Sequence, residues 1–141
     1  MTERRVRRRR RLAVWLVAAL VGVFTVATPV GAATTCTLTF KANYRGDVGS
    51  QYRWQVDATL TNTGTSTSTT WQAVIDFPLS AGAVIHQFWN ATRPSANVWG
   101  PVGWNGALPK NQRANFGFDI GMPMPNTSPP LPTSSSCTIT Y

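Results

Sequence analysis

Polar and apolar side chains alternate along Cys36 to Phe40, Trp54 to Leu60, Trp71 to Phe77 and Arg113 to Ile120. A two-residue period belongs to a strand with one buried face. It predicts a core side carrying Trp71, Ala73, Ile75, Phe77, Phe116 and Phe118, with Asn115 and Asp119 facing outward. Val84 to Trp89 reads as a further strand and Thr138 to Tyr141 as a short last one. Asn62-Thr63-Gly64 is a turn, and the Ser/Thr-rich run to Thr70 a loop. Ser128-Pro129-Pro130-Leu131-Pro132 cannot lie in a central strand, because proline offers no N–H to the ladder. No convincing helical period and no internal repeat is present. Many short strands in roughly a hundred residues predict an all-β domain of two antiparallel sheets packed face to face, a β-sandwich.

The first 33 residues stand outside this pattern. Seven arginines and one glutamate lie in Met1 to Arg11, Leu12 to Val30 is almost wholly apolar, and Gly31-Ala32-Ala33 supplies small residues. That order predicts a secretory signal peptide over 1–33, a mature domain over 34–141 and a secreted, extracellular product. A retained anchor is the alternative, since the apolar run is near the length that spans a bilayer. Pro29 and the small residues favour cleavage, after which no membrane contact is expected. The arginine cluster leaves twin-arginine export open.

Removing the signal changes the charge picture. The whole chain carries a formal +8, but six basic and four acidic residues follow residue 33, leaving +2. No basic stripe remains for nucleic acid, so that class of partner is excluded. Cys36 and Cys137 sit near the two ends of the mature segment. In an exported chain they read as a disulfide joining first and last strands, with two free thiols as the alternative.

The candidate chemistry lies in the aromatics. Trp89 and Trp104 are set among Asn, Gly, Pro and Thr, outside any apolar run. A small soluble domain hides such rings or grips something with them. Flat indoles beside amides suit a flat, hydroxyl-rich ligand such as a polysaccharide, whose CH faces stack while its rim hydroxyls hydrogen-bond.

Cysteines near both ends, Asn62-Thr63-Gly64, Trp71 leading a strand to Phe77-Pro78, Gln87-Phe88-Trp89, Trp104-Asn105-Gly106-Ala107-Leu108 and Phe116-Gly117-Phe118 occur in a telling order. Together they resemble the family 2 carbohydrate-binding modules of actinomycete cellulases and xylanases, over essentially all of residues 36 to 137. The resemblance implies an immunoglobulin-like or jelly-roll sandwich with tryptophans along one flat face. It implies that Trp89 and Trp104 are platforms, with Gln87, Asn115 and Asp119 as polar companions and Trp71 buried. The family's remaining platform tryptophan has no counterpart here. Tyr44 or Tyr52 is expected to stand in, with Asn43 beside Tyr44. Arg53 stands where the family's crystalline-cellulose binders have glycine and its xylan binders arginine. The stretch from Trp89 to Trp104 is short and holds an extra Trp99, for which core, loop and ligand packing all stay open. Trp54 reads as core or sheet-edge packing.

The expected partner is therefore an insoluble β-1,4-linked glycan, cellulose first, then xylan or chitin, bound by a monomer. A secreted structural or protein-binding sandwich is the competing reading. No cofactor or metal is expected: His86 is the only histidine, expected to face the second sheet or a turn, and a Ser-His-Asp triad or zinc site lacks parts. The mature segment has no glutamate, and an Asp57/Asp119 glycosidase pair has nothing to tune it, so no enzyme is expected. Asn90-Ala91-Thr92 and Asn126-Thr127-Ser128 are formal glycosylation sequons.

Overall fold

The structure, a computed structural model, describes residues 35–141, so the expected signal peptide over 1–33 lies outside the described residues. Eight strands follow in order: β1 (Cys36–Val48), β2 (Gln51–Asn62), β3 (Thr70–Asp76), β4 (Val84–Trp89), β5 (Thr92–Ser95), β6 (Val98–Gly100), β7 (Arg113–Pro123) and β8 (Ser134–Thr140). The first sheet has the order β1-β2-β7-β4 and the second β5-β6-β3-β8. All pairings are antiparallel. The only helical element among the described residues is a 3-10 turn at Leu79–Ala81.

Alternation builds the core as expected. Val56, Ala58 and Leu60 of β2, with Phe116, Phe118 and Ile120 of β7, are buried from the first sheet. Trp71, Ala73, Ile75 and Ile139 meet them from the second. Trp71 stacks on Phe116 at 5.1 Å between ring centres, and Trp99 meets Phe118 edge-on at 4.7 Å. These rings interlock the two layers and add to the apolar burial that drives folding.

The disulfide joins Cys36 of β1 to Cys137 of β8, with their Cα atoms 6.2 Å apart. Each strand is an edge of its own sheet, so the bond ties one layer to the other. A loop of 101 residues corresponds to about 4–5 kcal/mol in the chain-entropy treatment.

Several elements differ from expectation. Strand β1 continues past Phe40 to Val48 through a bulge between Tyr44 and Gly46. Gly46 there has φ 115°, a conformation open to glycine and costly for other residues. Strands β5 and β6, not expected from the sequence, complete the second sheet and place Trp99 opposite Ala73 in the core. Strand β8 begins earlier, at Ser134.

Candidate functional site

Register determines which side chains share the solvent face of the first sheet. Asn43 pairs with Gln55, Gln55 with Asp119, and Asp119 with Gln87, forming one polar row across all four strands. The neighbouring row is Lys41, Asp57, Gly117 and Trp89. Trp89 lies flat over Gly117: a methyl group added there would come within 2.3 Å of the indole. The glycine of Phe116-Gly117-Phe118 is thus the bed on which the half-buried ring rests.

A groove of about 400 Å³ follows these rows, lined by Arg45, Val48, Arg53, Gln55, Gln87, Trp89 and Asp119. Its polar groups are held in place. Arg53 grips Asp119 with a two-pronged ion pair, Nε donating to Oδ1 at 3.0 Å and Nη2 to Oδ2. Asp57 accepts from Asn43 Nδ2 at 3.0 Å and from Gln55 Nε2 at 2.8 Å. That orients both amides and leaves their carbonyl oxygens for a ligand. Both aspartates of the conceivable glycosidase pair are therefore occupied by neighbours. Asn115 lies on the same face, where its Oδ1 accepts from Thr59 Oγ1 at 3.0 Å.

Trp104 is 71% exposed on the loop between β6 and β7. Its backbone is nonetheless fixed from below. Asn105, 4% exposed, accepts the Val102 N–H at 2.9 Å through Oδ1 and donates through Nδ2 to the Asn90 carbonyl at 2.8 Å. Its own carbonyl accepts the Trp71 indole N–H at 2.7 Å. Two further buried side chains hold the rest of the segment: Ser68 bonds Gly106 O and Leu108 N, and Asn62 donates to Leu108 O. Asn90 follows Trp89 directly, so Asn105 links the segments carrying the two indoles. The sequence had singled out Trp104-Asn105-Gly106 as a motif without giving Asn105 this role; an amide between an aromatic and a glycine was the only signal.

The structure brings Trp89, Gln87 and Asp119 to one groove, puts Asn115 on the same face, and leaves Trp104 open to water. It does not bring Tyr44 there. Tyr44 pairs with Trp54, which pairs with the buried Ile120, so its side chain leaves the sheet on the core side. Beyond the end of the core it meets Trp54 at 5.3 Å and Tyr52 at 6.3 Å, and its hydroxyl donates to Asp47, which raises the phenol pKa. The expected stand-in for a third platform therefore belongs to the other face, as does Tyr52. His86 also departs from expectation. The β4 bulge turns it to solvent, where Nε2 lies 2.8 Å from Gln51 Oε1 rather than against the second sheet. No cluster of three metal-ligating side chains occurs among the described residues.

Residues 31–139 match the family described as the cellulose binding domain. Chitinase 63 of Streptomyces plicatus is 36% identical over 111 residues, covering 77% of this chain and 17% of that protein. Chitinase C of Streptomyces lividans is 35% identical over the same length and the same shares. The chain thus spans about a sixth of the length of these curated relatives. Among solved structures, chitinase ChiA74 from Bacillus thuringiensis superposes with a TM-score of 0.51 at 23% identity, covering 72% of this chain and 15% of that one. That likeness concerns the fold.

Proposed function

Because the chain belongs to the cellulose binding domain family, we propose that it is a secreted, non-catalytic module that holds insoluble β-1,4-linked polysaccharide against the solvent face of its first sheet. Trp104 carries the reading: a ring left 71% in water on a loop anchored by buried Asn62, Ser68 and Asn105. A folding domain gains nothing from that exposure, while a ligand gains a pre-ordered apolar surface. Trp89, laid on Gly117, supplies the second surface. Gln87, Asn115 and the Arg53-held Asp119 meet the hydroxyl rim.

Covering about 80 Å² of one indole with a sugar face contributes roughly 2 kcal/mol. Two such contacts give ~4 kcal/mol before association costs, so short soluble oligosaccharides bind weakly. A rigid, repeating surface retains the module better, because it is already ordered and offers many equivalent sites. Both curated relatives bear the name chitinase, which now puts chitin ahead of cellulose and xylan.

Sedimentation with insoluble chitin, cellulose and xylan tests this. The protein is expected to leave the supernatant, chitin depleting it most. Trp104→Ala should weaken retention by roughly 30-fold, the equivalent of ~2 kcal/mol, with an unchanged melting temperature. Protein remaining in every supernatant would favour a structural or protein-binding sandwich instead.

A further inference from the structure

Arg45 occupies the bulge of β1, between Tyr44 and the positive-φ Gly46. Bulges re-aim side chains. Here Tyr44 goes to the core side while Arg45 lines the groove with Val48. The carboxylates nearby are already matched: Asp119 is held by Arg53, Asp57 by Asn43 and Gln55, and Asp47 by Tyr44. Lys41 also has no ion pair on this face but stands outside the groove lining. The single ion pair among the described residues, Arg53 with Asp119, leaves Arg45 without a carboxylate. The groove therefore has an indole on edge strand β4 and an unpaired guanidinium on the opposite edge strand, β1. Three strand spacings across the sheet and three to four residues along it separate their backbones, roughly 18 Å, or about three to four sugar rings of an extended chain.

A neutral glycan has nothing to match that charge. A guanidinium presents a planar fork of donors whose geometry fits a carboxylate. We propose that Arg45 recognises a carboxylate carried by the glycan, so that the groove favours a β-linked polysaccharide bearing uronic acid units, with the acidic sugar about three to four rings from the one on Trp89. The inference rests on the glycan-platform reading and adds a charge preference to it.

The test compares fibrils of one polysaccharide, cellulose or chitin, before and after oxidation of their C6 hydroxymethyl groups to carboxylates. At low salt the unaltered protein is expected to bind oxidised fibrils about three- to fivefold more tightly than the parent, the scale of one exposed charge pair. Arg45→Gln should remove that ratio, bringing binding of the oxidised fibrils down to that of the parent fibrils measured with the same variant. Lys110→Gln, an equal loss of charge on an exposed loop outside the groove, should keep it. Trp104→Ala should weaken both fibrils alike. Salt near 0.5 M should erase the ratio by screening. A ratio of one in the unaltered protein, or equal loss in Arg45→Gln and Lys110→Gln, would overturn the role of Arg45 while leaving the platform standing. Failure to bind either fibril would overturn both.

Discussion

The two sheets turn unlike surfaces to water. The first presents Trp89 on its glycine bed, the Arg53–Asp119 pair and a row of oriented amides. The second presents Thr70 and Gln72 of β3 and Ser134, Ser136, Thr138 and Thr140 of β8, all exposed and none aromatic. Yet the second sheet also carries two tryptophans, Trp71 and Trp99, both buried. Strand parity, not indole content, separates the faces. A ring placed on the core side stabilises the sandwich, and the same ring one residue along is turned to water.

The strongest way to break this comparison is to truncate a ring on the core side. Trp71→Ala removes the stacking on Phe116 and the N–H that holds Asn105. It should destabilise by about 3–5 kcal/mol, seen as a loss in denaturant or thermal melts, and loosen the Trp104 loop as a secondary effect. Retention of native stability would mean that the core assignment is wrong. A subtler change on the outer face is Gly117→Ala, whose methyl collides with the Trp89 ring. It should cost much of the ~2 kcal/mol that one ring contributes to glycan retention while barely moving the melting point. Unaltered retention would show that Trp89 is not a platform.

Smaller effects are expected on the second sheet. Ser134 Oγ and Asn97 Nδ2 donate to Asp76, at 2.5 and 2.9 Å, and hold its carboxyl below the usual range. A depressed folded pKa contributes stability above the unfolded value of ~3.9, and that contribution disappears as pH falls through the folded value. Asp76→Asn should therefore melt slightly lower than the unaltered protein at pH 6, and the gap should narrow as pH falls below the ordinary aspartate range. The smallest expectation is a null: Thr138→Ala with Thr140→Ala should change neither retention nor stability beyond about 0.5 kcal/mol. Lost retention there would move the binding face to the second sheet.

Much of this arrangement was legible beforehand, for a physical reason. Alternation placed Phe116 and Phe118 inward and Asn115 and Asp119 outward, because one face of β7 is buried and the other is wet. The disulfide was readable from two cysteines in a chain with an export-like leader. Tyr44 was misplaced although the signal existed: Cys36, Leu38, Phe40, Ala42 and Tyr44 keep one parity, but the strand was expected to stop at Phe40. Strands β5 and β6 were missed because Pro94 interrupts one and the other is only three residues long. Trp99 stayed ambiguous for the same reason, since its face depends on a pairing with β3 that no local pattern announces. The bulge that aims His86 leaves no local trace, whereas Gly46 is the trace of the one that aims Arg45, legible only once β1 is known to run that far.

Those bulges bear on how copies would behave when crowded along one fibre. Both rims of the first sheet, β1 and β4, are kinked by a bulge, and the β5 rim of the second carries Pro94, which has no N–H to offer a neighbour. Interrupted rims are poor templates for strand addition. Three of the four rims are thus closed to strand addition, which leaves β8, regular along its seven residues, as the one edge where crowded copies could join.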